Sequence, residues 1–555
     1  MSLYTYFLLC FVTFICVEGE NNESKLVKTS QGSVRGYKEP DTNVFVFYGI
    51  PYGTAPTGIF KFQAPLPPPA WLQPFEATNR NIICPQARTP SLNLENKKMQ
   101  EDCLIANVYI PDTQEKNLPV VVYIHGGSFQ VGYGDMTPPT KFVSQKNIIG
   151  VTFNYRLGVN GFLCLGTLGA PGNAGMKDQV ELLRWVKRNI ANFGGNPDDI
   201  TIVGCNAGAI SAELLILSKS TKNLFHKMIL AYGPNNGFIA MQTDPLETAK
   251  VFAKSLNFTN VDNVYALEDM YKEISMELLT KEMFNDKTNF ANRFTPCVER
   301  DTKEDYVFLD DAPVNIIKRG KYRKIPILYG FDDTDGLLQK SDFDILHERM
   351  NTNFYEFLPV DLEFESKDEK RQVAIKIKEF YFGDKPISKD INVSSVIDYI
   401  SNVLTTYTTS KTIRLHVEAG HDKIFLYKYT LKAKLPGVPF TNLLDATHCR
   451  QLTDVLEGEV KQNGNNIDKE HESNKIISEL WFNFIKTGKP VPENSSLPPW
   501  PPVEVDRSSY VSLGQTIELK QGDLNDRVHF WDALYEKYYR APIPPPKPPI
   551  RHTEL

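Results

Sequence analysis

Basic charge is in short supply in this 555-residue chain: 61 Lys and Arg stand against 67 Asp and Glu, for a formal net charge of −6. Without a basic field nothing gathers phosphates, which argues against nucleic acid or an anionic membrane surface as the main partner and favours a neutral or apolar ligand. Beyond residue 17 no apolar run reaches the roughly 20 residues that a membrane-spanning helix needs, so no transmembrane anchor is expected. Repeats and low-complexity blocks are missing between Asn22 and Arg540. That leaves no linker to divide the chain, and residues 20–540 read as a single domain. No metal site and no cofactor is expected.

What is present at the start is the apolar stretch Leu3 to Val17 followed by Glu18-Gly19-Glu20, which reads as a secretory signal peptide over residues 1–19. Four Asn-x-Ser/Thr sequons, at Asn22, Asn257, Asn392 and Asn494, are candidates for glycosylation on that route. Of the 8 cysteines, Cys10 and Cys16 leave with the signal, and in an oxidising lumen some of the remainder should pair. Cys84 and Cys103, close in sequence and both in loop-like text, are the expected bridge. Spacing cannot assign Cys164, Cys205, Cys297 and Cys449, which read as small buried hydrophobes. At the other end Ala541 to Ile550 (APIPPPKPPI) reads as an extended, solvated stalk presenting the last residues. The terminal HTEL is close to the KDEL-type signals read by a lumenal retrieval receptor, which points to the endoplasmic reticulum lumen, with secretion as the alternative.

Between these ends the text is α/β. Pro119–His125 and Ile148–Tyr155 are β-branched and apolar as buried strands should be. Gly175–Phe193 carries apolar residues at helical spacing and is stopped by Gly194-Gly195-Asn196-Pro197. A short strand, Ile200–Val203, is followed by the turn Gly204-Cys205-Asn206-Ala207-Gly208 and a helix through Leu215. Gly204-x-Asn206-x-Gly208 has the frame of a nucleophile elbow, where a strand turns sharply into a helix and the middle residue is held out in a strained conformation. Asn tolerates φ > 0 better than most residues, so the turn should survive; its amide, however, cannot replace a serine hydroxyl as nucleophile.

An ordered series of motifs accompanies that elbow: Gln31-Gly32-Ser33-Val34-Arg35-Gly36, Phe47-Tyr48-Gly49-Ile50-Pro51-Tyr52-Gly53, Glu101-Asp102-Cys103-Leu104, His125-Gly126-Gly127-Ser128-Phe129, Asn154-Tyr155-Arg156-Leu157-Gly158, Gly172-Asn173-Ala174-Gly175 with Asp178-Gln179, and Phe530-Trp531. Together they resemble the carboxylesterase and cholinesterase family of α/β-hydrolases over nearly the whole mature chain. The resemblance implies an α/β-hydrolase fold, a large central mostly parallel sheet flanked by helices. It also implies an oxyanion hole at Gly126, Gly127 and Ala207, the orienting acid at Asp335 and the general base at His448, with Asn206 in the nucleophile's place. Ala231 stands where relatives commonly carry a buried serine. Cys205 and Cys449 flank two of these positions but are not expected to act as thiol nucleophiles, and Ser128 and Ser211 are expected to bond local backbone.

The expected function is that of a carboxylesterase-like protein, inactive or severely impaired, whose pocket binds hydrophobic esters, lipids or xenobiotics. Three alternatives accompany it: an ester hydrolase acting by another route or through a Ser allele at 206; deamidation of Asn206 to an aspartate nucleophile; and a non-catalytic interaction protein of the adhesion type.

Overall fold

The computed structural model describes residues 23–89, 92–231, 240–282, 293–303, 306–332, 340–388, 393–430, 449–457, 467–493, 495, 497–505, 509–514, 516–521 and 525–550. The apolar N-terminal stretch, three sequons (Asn22, Asn392, Asn494), Asp335, His448 and the HTEL terminus lie outside them. The remaining sequon residue, Asn257, is exposed just past a helix end.

The strands are β1 (Ser24–Thr29), β2 (Gly32–Lys38), β3 (Val44–Pro51), β4 (Ile105–Pro111), β5 (Leu118–Ile124), β6 (Ile149–Phe153), β7 (Gly195–Cys205), β8 (Lys227–Ala231), β9 (Ile327–Asp332), β10 (Ile424–Tyr429), β11 (Ser509–Leu513) and β12 (Ile517–Gln521). They form one sheet in the order β1-β2-β3-β4-β6-β5-β7-β8-β9-β10-β11-β12, with Phe75–Glu76 added beside β2. Pairing is parallel from β6 through β11 and antiparallel at both margins. This is the large, mostly parallel sheet expected.

Apolar sequence explains why the centre is buried on both faces. In β5, Val120, Val122 and Ile124 enter one core while Val121 and Tyr123 enter the other, the period of two that a strand imposes. Helices cover both sides, as a parallel sheet requires. The helices used below are α1 (Ala174–Asn189), α2 (Ala207–Leu217), α3 (Pro245–Ser255), α4 (Val264–Glu273), α5 (Tyr407–Glu418) and α6 (Asn525–Tyr538). α2 is apolar around its circumference and every residue in it is buried. A third core lies among helices, where Trp531 of α6 is enclosed and Phe530 stacks on Phe380 at 4.0 Å.

Asn154 and Arg156, from one of those motifs, are struts. Arg156 holds Asp178 through Nε (2.8 Å) and Nη2 (2.6 Å) and also donates to the Lys61 and Gln63 carbonyls. A buried pair of this kind, with its remaining hydrogens satisfied, fixes geometry more than it adds stability. Asn154 donates to the Ile82 and Cys103 carbonyls and accepts from Gly134 N–H, joining three loops.

Two expectations are corrected. Cys84 pairs with Cys103 as anticipated, but the other four cysteines are bridged too, Cys164 to Cys297 and Cys205 to Cys449. Their partners are 133 and 244 residues away, a proximity made by the fold and invisible in spacing. The proline-rich segment is extended, but it is not a free stalk. Arg540 N–H donates to Asp361 O and Ile543 N–H to Thr243 O; Arg300 donates to Pro545 O and Tyr265 to Pro549 O, so the segment runs along α3 and α4. Proline carbonyls keep both lone pairs, and a proline-rich strand therefore docks well on a surface that supplies donors. Among the described residues no helix is long and apolar enough to cross a membrane.

Candidate active site at the elbow

In chain order β5 precedes β6 and β7, yet in the sheet it lies between them, so the strand order reverses at β5. Open α/β sheets hold ligands in the crevice outside the carboxyl ends of strands at such a reversal. Here the residues leaving β5 are His125 to Phe129, and those leaving β7 are Asn206 and Ala207. The register places Gly204 opposite Ile124, which brings the two ends side by side. β9 ends at Asp332 and β10 at Tyr429, so the segments containing Asp335 and His448 leave from the same edge of the sheet.

The turn at Asn206 is an elbow in its backbone. Asn206 has φ 54° and ψ −123°, a conformation that costs on the order of 1–3 kcal/mol and persists only where its surroundings enforce it. The flanking glycines are part of that enforcement. A Cβ on Gly204 would lie 2.3 Å from Gly208 backbone, and one on Gly208 would lie 2.0 Å from Ile124 O.

The side chain of Asn206 is itself hydrogen-bonded within the elbow. Its Oδ1 accepts from Ala207 N–H at 2.7 Å and from Ser128 N–H at 3.1 Å. The residue after the elbow, and an N–H from a loop of the His-Gly-Gly-Gly type, are the donors that bind the oxyanion in α/β-hydrolases. Asn206 therefore caps these two donors with its own amide oxygen. Gly126 packs against Asn206 Cβ and Gly127 bends the loop at φ 103°, but the loop donor on this oxygen is Ser128, which the sequence reading placed among bystanders. Its place as third residue after His125 was the available signal.

The loop is rigidly seated. Gly127 O accepts from Gln130 and Val131 N–H, and Gly158 N–H donates to Phe129 O. His125 stacks on Tyr155 at 4.4 Å, and burial pushes its pKa down to about 4, so it is a neutral ring that shapes the loop. Ser211 is fully buried and accepts from Gln179 at 3.1 Å, a side chain where backbone was expected, and is not available as a nucleophile. Ala231 is also enclosed, paired beside Cys205. The disulfide from Cys205 to Cys449 ties the residue before Asn206 to the residue after His448.

Further along α2, Glu213 faces His416 of α5 (Oε1 to Nε2 3.1 Å), and His416 Nδ1 meets Tyr322 OH at 2.5 Å. Burial raises the Glu213 pKa well above the usual carboxylate range and lowers that of His416 to about 3. Both shifts favour the neutral forms of the pair, whereas in the unfolded chain the carboxyl ionises at its ordinary value and the imidazole loses its proton above about pH 6.5. Above about pH 6.5, for as long as the folded carboxyl keeps its proton, the folded state binds one more proton than the unfolded one, so stability contributed here should fall as pH rises, at about 1.4 kcal/mol per pH unit. The isosteric Glu213→Gln removes that slope. Urea unfolding of both proteins across the range checks it; parallel pH profiles would refute the assignment.

Among the described residues no group of three or more His, Cys, Asp or Glu is placed to hold a metal. What the geometry defines is a pair of backbone N–H donors facing one carbonyl-like oxygen, at an elbow whose tip carries an amide.

Comparison with known proteins agrees with this architecture. Residues 23–531 match the carboxylesterase family, and the chain belongs to it. It is 33% identical to venom carboxylesterase-6 of Apis mellifera over 443 residues, covering 77% of this chain and 79% of the relative. It is 30% identical to juvenile hormone esterase of Heliothis virescens over 528 residues, covering 89% and 91%. Among solved structures, juvenile hormone esterase from Manduca sexta with OTFP covalently attached superposes with a TM-score of 0.82 at 26% identity, covering 93% of this chain and 100% of that one.

Proposed function

We propose that this chain is a carboxylesterase-fold protein that binds hydrophobic esters or lipid-like molecules without turning them over by a serine mechanism. The observation that carries the reading is the amide oxygen of Asn206 bonded to Ala207 and Ser128 N–H. The position that should hold a serine hydroxyl carries an amide, and the donors that should bind the developing oxyanion already have an acceptor. Losing a nucleophile removes most of a triad's rate gain because its members act together. Ligand binding then depends on the rest of the crevice and not on the hole. We assign the acid and base positions to Asp335 and His448. Placement in the endoplasmic reticulum lumen is supported by the apolar N-terminal stretch, by three disulfides and by the HTEL terminus.

Equilibrium dialysis of the purified protein with a radiolabelled long-chain acyl ester tests the binding half: saturable retention with the ester recovered intact is expected. The same preparation should leave a short aryl ester unhydrolysed and take no fluorophosphonate label. Turnover that disappears in His448→Ala would overturn the proposal.

A further inference from the structure

We propose that Asn206 is a self-modification site: the folded elbow drives attack of the Ala207 backbone nitrogen on the Asn206 side-chain carbon, converting Asn206 through a cyclic imide to aspartate. Three features of the geometry support this, none of which concerns ester hydrolysis.

The first is the backbone torsion. The five-membered imide closes only when Cβ and the next residue's nitrogen are nearly eclipsed about the Cα–C bond. Substituents on a tetrahedral Cα are a third of a turn apart, so the Asn206 ψ of −123° sets that eclipsed arrangement. The strain that would ordinarily oppose cyclisation is already present in the elbow. The other asparagines with positive φ include Asn173, whose ψ of 31° holds the two atoms apart.

The second is contact. A helix N-cap side chain usually accepts from the second or third residue of the helix. Asn206 Oδ1 instead accepts from the first, Ala207, at 2.7 Å, so its carboxamide already lies against the attacking nitrogen. Rotation about Cβ–Cγ separates this arrangement from attack. Ala207 N–H opens α2 and has no carbonyl within the helix to bond.

The third is charge stabilisation. When the Ala207 nitrogen bonds to Cγ, the C=O π bond breaks and Oδ1 becomes an oxyanion. Ser128 N–H already donates to that atom at 3.1 Å, so a donor suited to an ester's tetrahedral intermediate serves the asparagine's own. The proton from Ala207 nitrogen passes through solvent to the amide nitrogen. Nδ2 has no hydrogen-bond partner among the described residues and leaves as ammonia when the C–N bond breaks. Asn206 is only partly buried, so water reaches the imide. Its addition at Cγ reopens the ring to aspartate, and addition at the main-chain carbonyl gives isoaspartate. The balance is asparagine plus water giving aspartate plus ammonia. The aspartate is favoured at this place, because its carboxylate accepts two N–H bonds at the positive end of α2.

Peptide mapping of native protein incubated at pH 8 in ¹⁸O-water provides the test. The peptide containing residue 206 should gain about 3 Da there and about 1 Da in ordinary water, the change from amide to acid. Conversion should be about tenfold or more faster in the folded protein than in the same chain in urea, because the fold supplies torsion, contact and donor together. Asn206→Gln, whose ring would need another atom, should show no gain. An amide retained in the folded protein, or conversion as fast in urea, would overturn the proposal. Because the readout is mass, a protein that binds no ester still tests it.

Discussion

Asn206→Ser is expected to be labelled stoichiometrically by a fluorophosphonate, with aryl-ester hydrolysis raised at least on the order of 10³-fold over the native chain. Two gains coincide in this one substitution. Serine brings a hydroxyl to a backbone already held at φ 54° and ψ −123°, the exposed tip that a nucleophile needs. Removing the carboxamide also uncaps Ala207 and Ser128 N–H, and one such donor is worth about 10²–10³ in rate when it meets the transition state. Asn206→Ala separates the two gains, for it frees the donors and supplies no nucleophile. Label should rise only with serine. A folded serine variant that takes no label would mean that more than one side chain has been lost, and that Asp335 and His448 are not arranged as a triad.

Removing the disulfide between Cys205 and Cys449 should be the most destabilising single change outside the elbow. The bridge closes a separation of 244 residues, and in the chain-entropy description such a cross-link contributes about 2–5 kcal/mol by restricting the unfolded chain. Cys205 is fully buried beside Val203, Ala231 and Tyr427, so Cys205→Ala with Cys449→Ala avoids leaving a hydroxyl in that core. Urea unfolding should show the loss. In an Asn206→Ser background the same pair should lower kcat more than it raises KM, because the bridge joins the neighbours of residues 206 and 448. An unchanged unfolding midpoint would remove the bridge from any account of stability.

Local text carried the elbow, strands β5 and β6, the end of β7 and the first disulfide, because glycine spacing, β-branched runs and short separations are local physics. The identity of the loop donor was not local. Gly127, Ser128 and Phe129 all have positive φ, and which N–H then faces Asn206 depends on how that loop is pinned by Gly158 and stacked by Tyr155. The two long-range disulfides depend on the sheet bringing distant strands together. Proline content predicted an extended tail correctly, but not its docking, because Tyr265 and Arg300, which donate to it, lie 284 and 245 residues earlier. The glutamate of α2 and the histidine of α5 carry no motif at all; burial of both on facing helices makes them a pair.

The docked tail also bears on the order in which the molecule assembles. Arg540 to Pro549 follows in sequence every segment that receives it, and its donors and acceptors belong to loops and helices that must already be seated. Closing a loop of this length costs entropy before any contact is regained. Docking of the tail is therefore a late folding event, and its release is among the least costly local openings, one that a protease could sample while the sheet remains intact.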